Sequence, residues 1–66
     1  MFDANALRAE IARNGMTQGQ VAERIGISAN SFSIKMKNGS FGLDEATKIV
    51  DVLKIRNPGA VFFAEQ

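Results

Sequence analysis

Two helix starts lie eleven residues apart with a glycine between them, and this spacing constrains the chain more than any other feature. Thr17 is followed three residues on by Gln20, the spacing of a capping box in which hydroxyl and amide each satisfy a free backbone N–H. Met16 before the cap and Val21 four residues after it form a hydrophobic staple. Ile27, Ser28 and Phe32 repeat the arrangement, so a second helix has its own cap and staple. Starts this close require a turn, and Gly26 can take a left-handed backbone there without a Cβ clash. Residues 17 to 38 therefore read as a helix-turn-helix.

The flanks carry weaker signals of the same kind. Phe2, Asp3 and Leu7 predict the staple and cap of a first helix, which presents Leu7 and Ile11 on one face and stops at Asn14-Gly15. The second helix is expected from near Gln18 to Ile25, burying Val21, Ala22 and Ile25, and the third from near Ala29 to Lys37. Asn38-Gly39 ends the third helix. The same dipeptide suits a β-hairpin, but its flanks do not alternate as strands. A fourth helix is expected from near Leu43 to around Lys54, with Asp44 and Glu45 in its first turn and Lys54 as a cation in its last. Ala46, Ile49, Val50 and Leu53 recur along it at helical spacing. Asn57-Pro58 opens one more short helix carrying Val61, Phe62 and Phe63. The expected fold is all-α: one domain over residues 1–66, a bundle of about five short helices.

Composition narrows what such a bundle can do. A chain of 66 residues buries only about 60% of the surface that its unfolded form exposes, so its stability is modest. With no cysteine and no histidine, thiolate and imidazole metal sites are unavailable, and no cofactor is expected. The usual general base and nucleophilic thiolate are missing too. Ser31 and Lys35 share a common helical spacing rather than a catalytic dyad, so catalysis is not expected. No apolar run approaches the roughly 20 residues of a membrane span, and no charged leader precedes an apolar stretch, so the expected location is cytoplasmic. The net charge of +1 is small for a nucleic-acid binder. From Ile11 to Leu43, however, Arg13, Arg24, Lys35 and Lys37 face only Glu23, and this excess overlaps the central helices.

On a helical wheel, Phe32 and Met36 set the inward direction of the third helix, and Asn30, Ser33, Ile34 and Lys37 fall opposite, with Ala29 at the edge. Asn30 can offer its carboxamide to the N6 and N7 edge of adenine, a match worth about 1 to 3 kcal/mol of discrimination. Ile34 suits a thymine methyl, or else packs sideways on a neighbouring helix. Lys37 can reach a phosphate or a guanine. Thr17 and Gln18, at the start of the second helix, are placed for phosphate contacts, as are Lys35, Asn38 and Ser40 at the end of the third. Each of these residues also has a plainer reading, because any soluble helix carries polar side chains outside.

Taken together, the run from Met16-Thr17-Gln18 through Gly26-Ile27-Ser28 to Phe32 resembles the phage repressor and Cro type of helix-turn-helix, the xenobiotic-response-element family. The segments Leu43-Asp44-Glu45-Ala46 to Ile55 and Asn57-Pro58 to Ala64 look like the small prophage regulators of that family. The resemblance implies a five-helix, lambda-repressor-like fold that binds double-stranded DNA at a palindromic operator as a homodimer and controls transcription initiation. It implies a phosphate-binding role for Gln18 and base-reading roles for Ala29, Asn30, Ser33, Ile34 and Lys37. Two departures stand out. Lys35 occupies a position that is commonly aliphatic, and Ala29 one that is often glutamine or arginine, which shifts readout toward DNA shape and the minor groove near Gly39 to Gly42.

Phe62 and Phe63 are candidate dimer contacts, with core filling as the equal alternative. The rival function is a protein-interaction module on the same fold, of antitoxin or antirepressor type, favoured by Ala29 and the low net charge.

Overall fold

Each helix in the computed structural model, which describes residues 1–64, begins where a side chain or backbone group closes its first turn. In α1 (Ala4–Arg13), the Asp3 carboxylate accepts the Ala6 N–H at 3.0 Å. In α2 (Gln18–Ile25), the full capping box forms: Gln20 N–H donates to Thr17 Oγ1 at 3.1 Å and Thr17 N–H donates to Gln20 Oε1 at 2.8 Å. Ser28 Oγ accepts the Ser31 N–H at 3.1 Å to open α3 (Ala29–Asn38). Gly42 precedes α4 (Leu43–Leu53) and has no side chain to cap it, so only the reciprocal half forms, Gly42 N–H donating to Glu45 Oε1 at 2.9 Å. Asn57 Oδ1 accepts the Ala60 N–H at 3.3 Å at the start of α5 (Pro58–Phe62).

The fold is all-helical, with no strand among the described residues. Gly26 ends α2 at φ +84 and Gly39 ends α3 at φ +65, the left-handed region that favours glycine. Two boundaries differ from expectation. Asn38 belongs to α3, because the left-handed turn comes one residue later, at Gly39. Lys54 is not a cation in the last turn of α4 but the residue that stops it, at φ +53.

The core draws on every helix: Leu7 and Ile11, then Val21, Ala22 and Ile25, then Phe32 and Met36, then Ile49 and Leu53, then Ile55 and Val61. Ala22 is fully buried, and α2 packs chiefly on α3 and α4. Around Phe32 an aromatic seam closes the bundle. Phe41 meets the rings of Phe32, Phe2 and Phe62 at 5.2, 5.6 and 6.4 Å. The Asp3 N–H donates to Val61 O at 2.7 Å, tying the start of α1 to α5. No helix among the described residues is long and apolar enough to cross a membrane.

Candidate nucleic-acid interface

The polar face of α3 exists because its opposite face is pinned. Phe32 is fully buried and Met36 nearly so, which turns Asn30, Ser33, Ile34 and Lys37 to solvent, with Ala29 exposed at the helix start. Ile34 remains 51% exposed on this face. An aliphatic side chain left this open on a polar face loses part of its hydration cost only against something from outside the chain.

The start of α2 lies beside the start of α3. A Cβ built on Gly19 would sit 4.0 Å from that of Ala29, so the first turns of α2 and α3 adjoin. Helix geometry leaves the N–H groups of Gln18 and Gly19 without an intrahelical acceptor, and such groups suit an anion. Gln18 itself is half-buried in a shallow groove with Arg8, Ile11, Ala12 and Met16. The Thr17 hydroxyl is already committed as an acceptor in the capping box, so what Thr17 retains for a phosphate is its donor hydrogen. At the other end, Asn38 and Ser40 are both exposed, and the Ser40 N–H folds back on Lys35 O at 3.1 Å, holding that loop close to the end of α3.

The cations divide differently from their order in the sequence. Arg13 turns away from the α2–α3 surface: its guanidinium meets Glu10 Oε1 at 2.6 Å and donates to Leu53 O at 2.9 Å, holding the end of α4. Lys35, expected against phosphate, points instead at α4, where its ammonium pairs with Glu45 Oε1 at 3.1 Å. The Gly42 N–H, more than the ammonium groups of Lys35 and Lys48, lowers the Glu45 pKa from its ordinary value and outweighs the partial burial that opposes it. Arg24 and Lys37 remain as exposed cations on α2 and α3 with no ion pair among the described residues. Ser31 and Lys35 do not meet either, since Ser28 Oγ donates to Ser31 Oγ at 3.0 Å while Lys35 goes to Glu45.

The two adjacent phenylalanines split. Phe62 packs half-buried in the aromatic seam, 5.8 Å from Phe2, whereas Phe63 is 73% exposed. With Leu43, 80% exposed, Phe63 lines an apolar groove that also includes Phe41, Ala46 and Phe62. Sequence reasoning missed Phe41 as a packing residue. The available signal was an aromatic side chain inside an otherwise small and polar loop, Gly39-Ser40-Phe41-Gly42. It also missed the pairing of Lys35 with Glu45, for which the spacing of the residues offers no cue. No protein-family model, curated protein or solved structure matches the chain.

Proposed function

We propose that the chain is a sequence-specific DNA-binding transcriptional regulator of the phage repressor and Cro type, acting in the cytoplasm as a homodimer on a palindromic operator. The observation that carries this reading is the exposed row Asn30, Ser33, Ile34 and Lys37 on a helix whose back is locked by Phe32 and Met36. Asn30 reads adenine, Ile34 covers a thymine methyl, and Lys37 reaches a guanine or phosphate. Gln18 and the N–H groups at the start of α2 hold one phosphate, while Asn38 and Ser40 contact another. Two protomers place their α3 helices in successive major grooves, about one DNA turn apart. Phe63 and Leu43 supply the exposed apolar surface on which the protomers meet.

Selection of bound sites from random duplexes tests the whole reading: recovery of an inverted repeat supports it. Asn30→Ala is expected to weaken operator binding by roughly 1 to 3 kcal/mol and to relax preference at one base pair in each half-site. The rival reading, a protein-interaction module, draws on the low net charge, on Ala29 and on the apolar groove beside Leu43 and Phe63. It predicts no duplex binding even at low ionic strength, and an Asn30→Ala variant indistinguishable from the parent.

A further inference from the structure

From the pairing of Lys35 with Glu45 we infer that Glu45 limits the protein's affinity for DNA by cancelling a cation on the flank of α3. The inference rests on the regulator reading above. Lys35 lies on the side of α3 between the buried Phe32–Met36 face and the exposed face, at the end from which Asn38 and Ser40 project. A lysine on that flank has a stem long enough to swing toward a duplex backbone lying along the exposed face. In this chain it is held the other way, at 3.1 Å from Glu45, with the two side chains only 29% and 21% exposed.

Glu45 is not a chance partner. The same Oε1 accepts the Gly42 N–H at 2.9 Å, so the backbone at the start of α4 fixes where the carboxylate sits. If Lys35 left for a phosphate, that carboxylate would stay behind without its ion-pair partner, beside a polyanion. Whichever way Lys35 turns, the pair brings no net charge to the duplex and releases no net counterion. The consequence falls on specific and sequence-independent binding alike, because phosphate contacts hold any duplex while base contacts choose among them. Glu45 therefore lowers total affinity and its salt dependence while leaving the choice among sequences to the base-facing row.

The test is a salt titration of binding to a labelled random-sequence duplex of about 20 base pairs, over roughly 50 to 200 mM salt, alongside the same titration on the selected operator. Glu45→Gln keeps an oxygen for the Gly42 N–H but frees Lys35. It is expected to bind both the random duplex and the operator more tightly, with a log–log slope steeper by about 0.9 per protomer. The double variant Lys35→Gln with Glu45→Gln is expected to match the parent in slope. Asp51→Asn, an equal change of net charge elsewhere on α4, is expected to leave the slope alone. Far-ultraviolet circular dichroism confirms that each variant is folded.

An unchanged slope or weaker binding for folded Glu45→Gln overturns the inference while leaving the regulator reading intact. A double variant whose slope falls below the parent's overturns it too, because Lys35 would then be contacting phosphate already. If Glu45→Gln does not fold, the double variant decides alone. Absence of duplex binding by the parent protein overturns both the inference and the reading beneath it.

Discussion

Around Gly26 the hydrogen bonds that shape the backbone span three to five residues: Thr17 with Gln20, Ser28 with Ser31, Gly26 N–H to Glu23 O and Ile27 N–H to Ala22 O. Around Phe41 the contacts reach across the chain, to Phe2 on one side and Phe62 on the other. The helix pair is thus assembled from neighbours and the aromatic seam from residues far apart in the chain. Short loops cost little entropy to close, whereas a contact between distant residues forms only once the intervening chain is ordered. Phe32 belongs to both regions, sitting under the exposed polar face of α3 and against the Phe41 ring.

That shared position makes Phe32→Ala the most damaging single change. Truncating a fully buried phenylalanine costs about 3 to 5 kcal/mol. A chain of this length has on the order of 3 to 10 kcal/mol of stability to lose. Loss of the cooperative thermal transition in circular dichroism is the expected result. A variant that still melts cooperatively near the parent temperature would show that the two regions are stable apart.

A sharper comparison sets Gly39→Ala beside Gly26→Ala. Both glycines are left-handed, at φ +65 and +84, and an alanine costs about 1 to 2 kcal/mol at either. Only Gly39 adds crowding, since its new Cβ would come within 3.2 Å of Phe2 Cβ, while nothing lies within 4 Å at Gly26. Urea denaturation is expected to rank Gly39→Ala as the less stable protein. Equal losses would mean that the aromatic seam yields without cost.

The smallest expected effect is acid loss at the junction between the regions. Because the folded protein lowers the Glu45 pKa, its contribution is complete above the unfolded carboxyl's pKa and disappears as pH falls through the lower folded value. Denaturation midpoints measured from about pH 7 down to about pH 3 should therefore decline on the acid side, and less so in Glu45→Gln. Identical pH profiles for the two proteins would remove Glu45 from the junction.

Much of the fold was legible before any coordinates. Caps at Asp3, Thr17, Ser28 and Asn57, the left-handed turn at Gly26, and the core pair Phe32 and Met36 are all where the residue pattern puts them. Lys54 was less legible, because nothing in its neighbours marks a lysine as the residue that takes the left-handed turn. The outward row Asn30, Ser33, Ile34 and Lys37 also follows directly from helical spacing. The electrostatics of the site did not. Arg13 and Lys35 look equally available in the sequence, and both turn out to be paired.

What the order of residues determined on its own lay within one helical turn: where each helix starts, where the central turn falls, and which face of α3 looks outward. Packing alone decided that Arg13 caps the end of α4 forty residues away, that Lys35 finds Glu45, and that Phe62 turns in while Phe63 stays out. The physical reason is range. A cap competes only with its immediate neighbours for a hydrogen bond, but a long charged or aromatic side chain chooses among all the partners that the folded bundle brings within its reach.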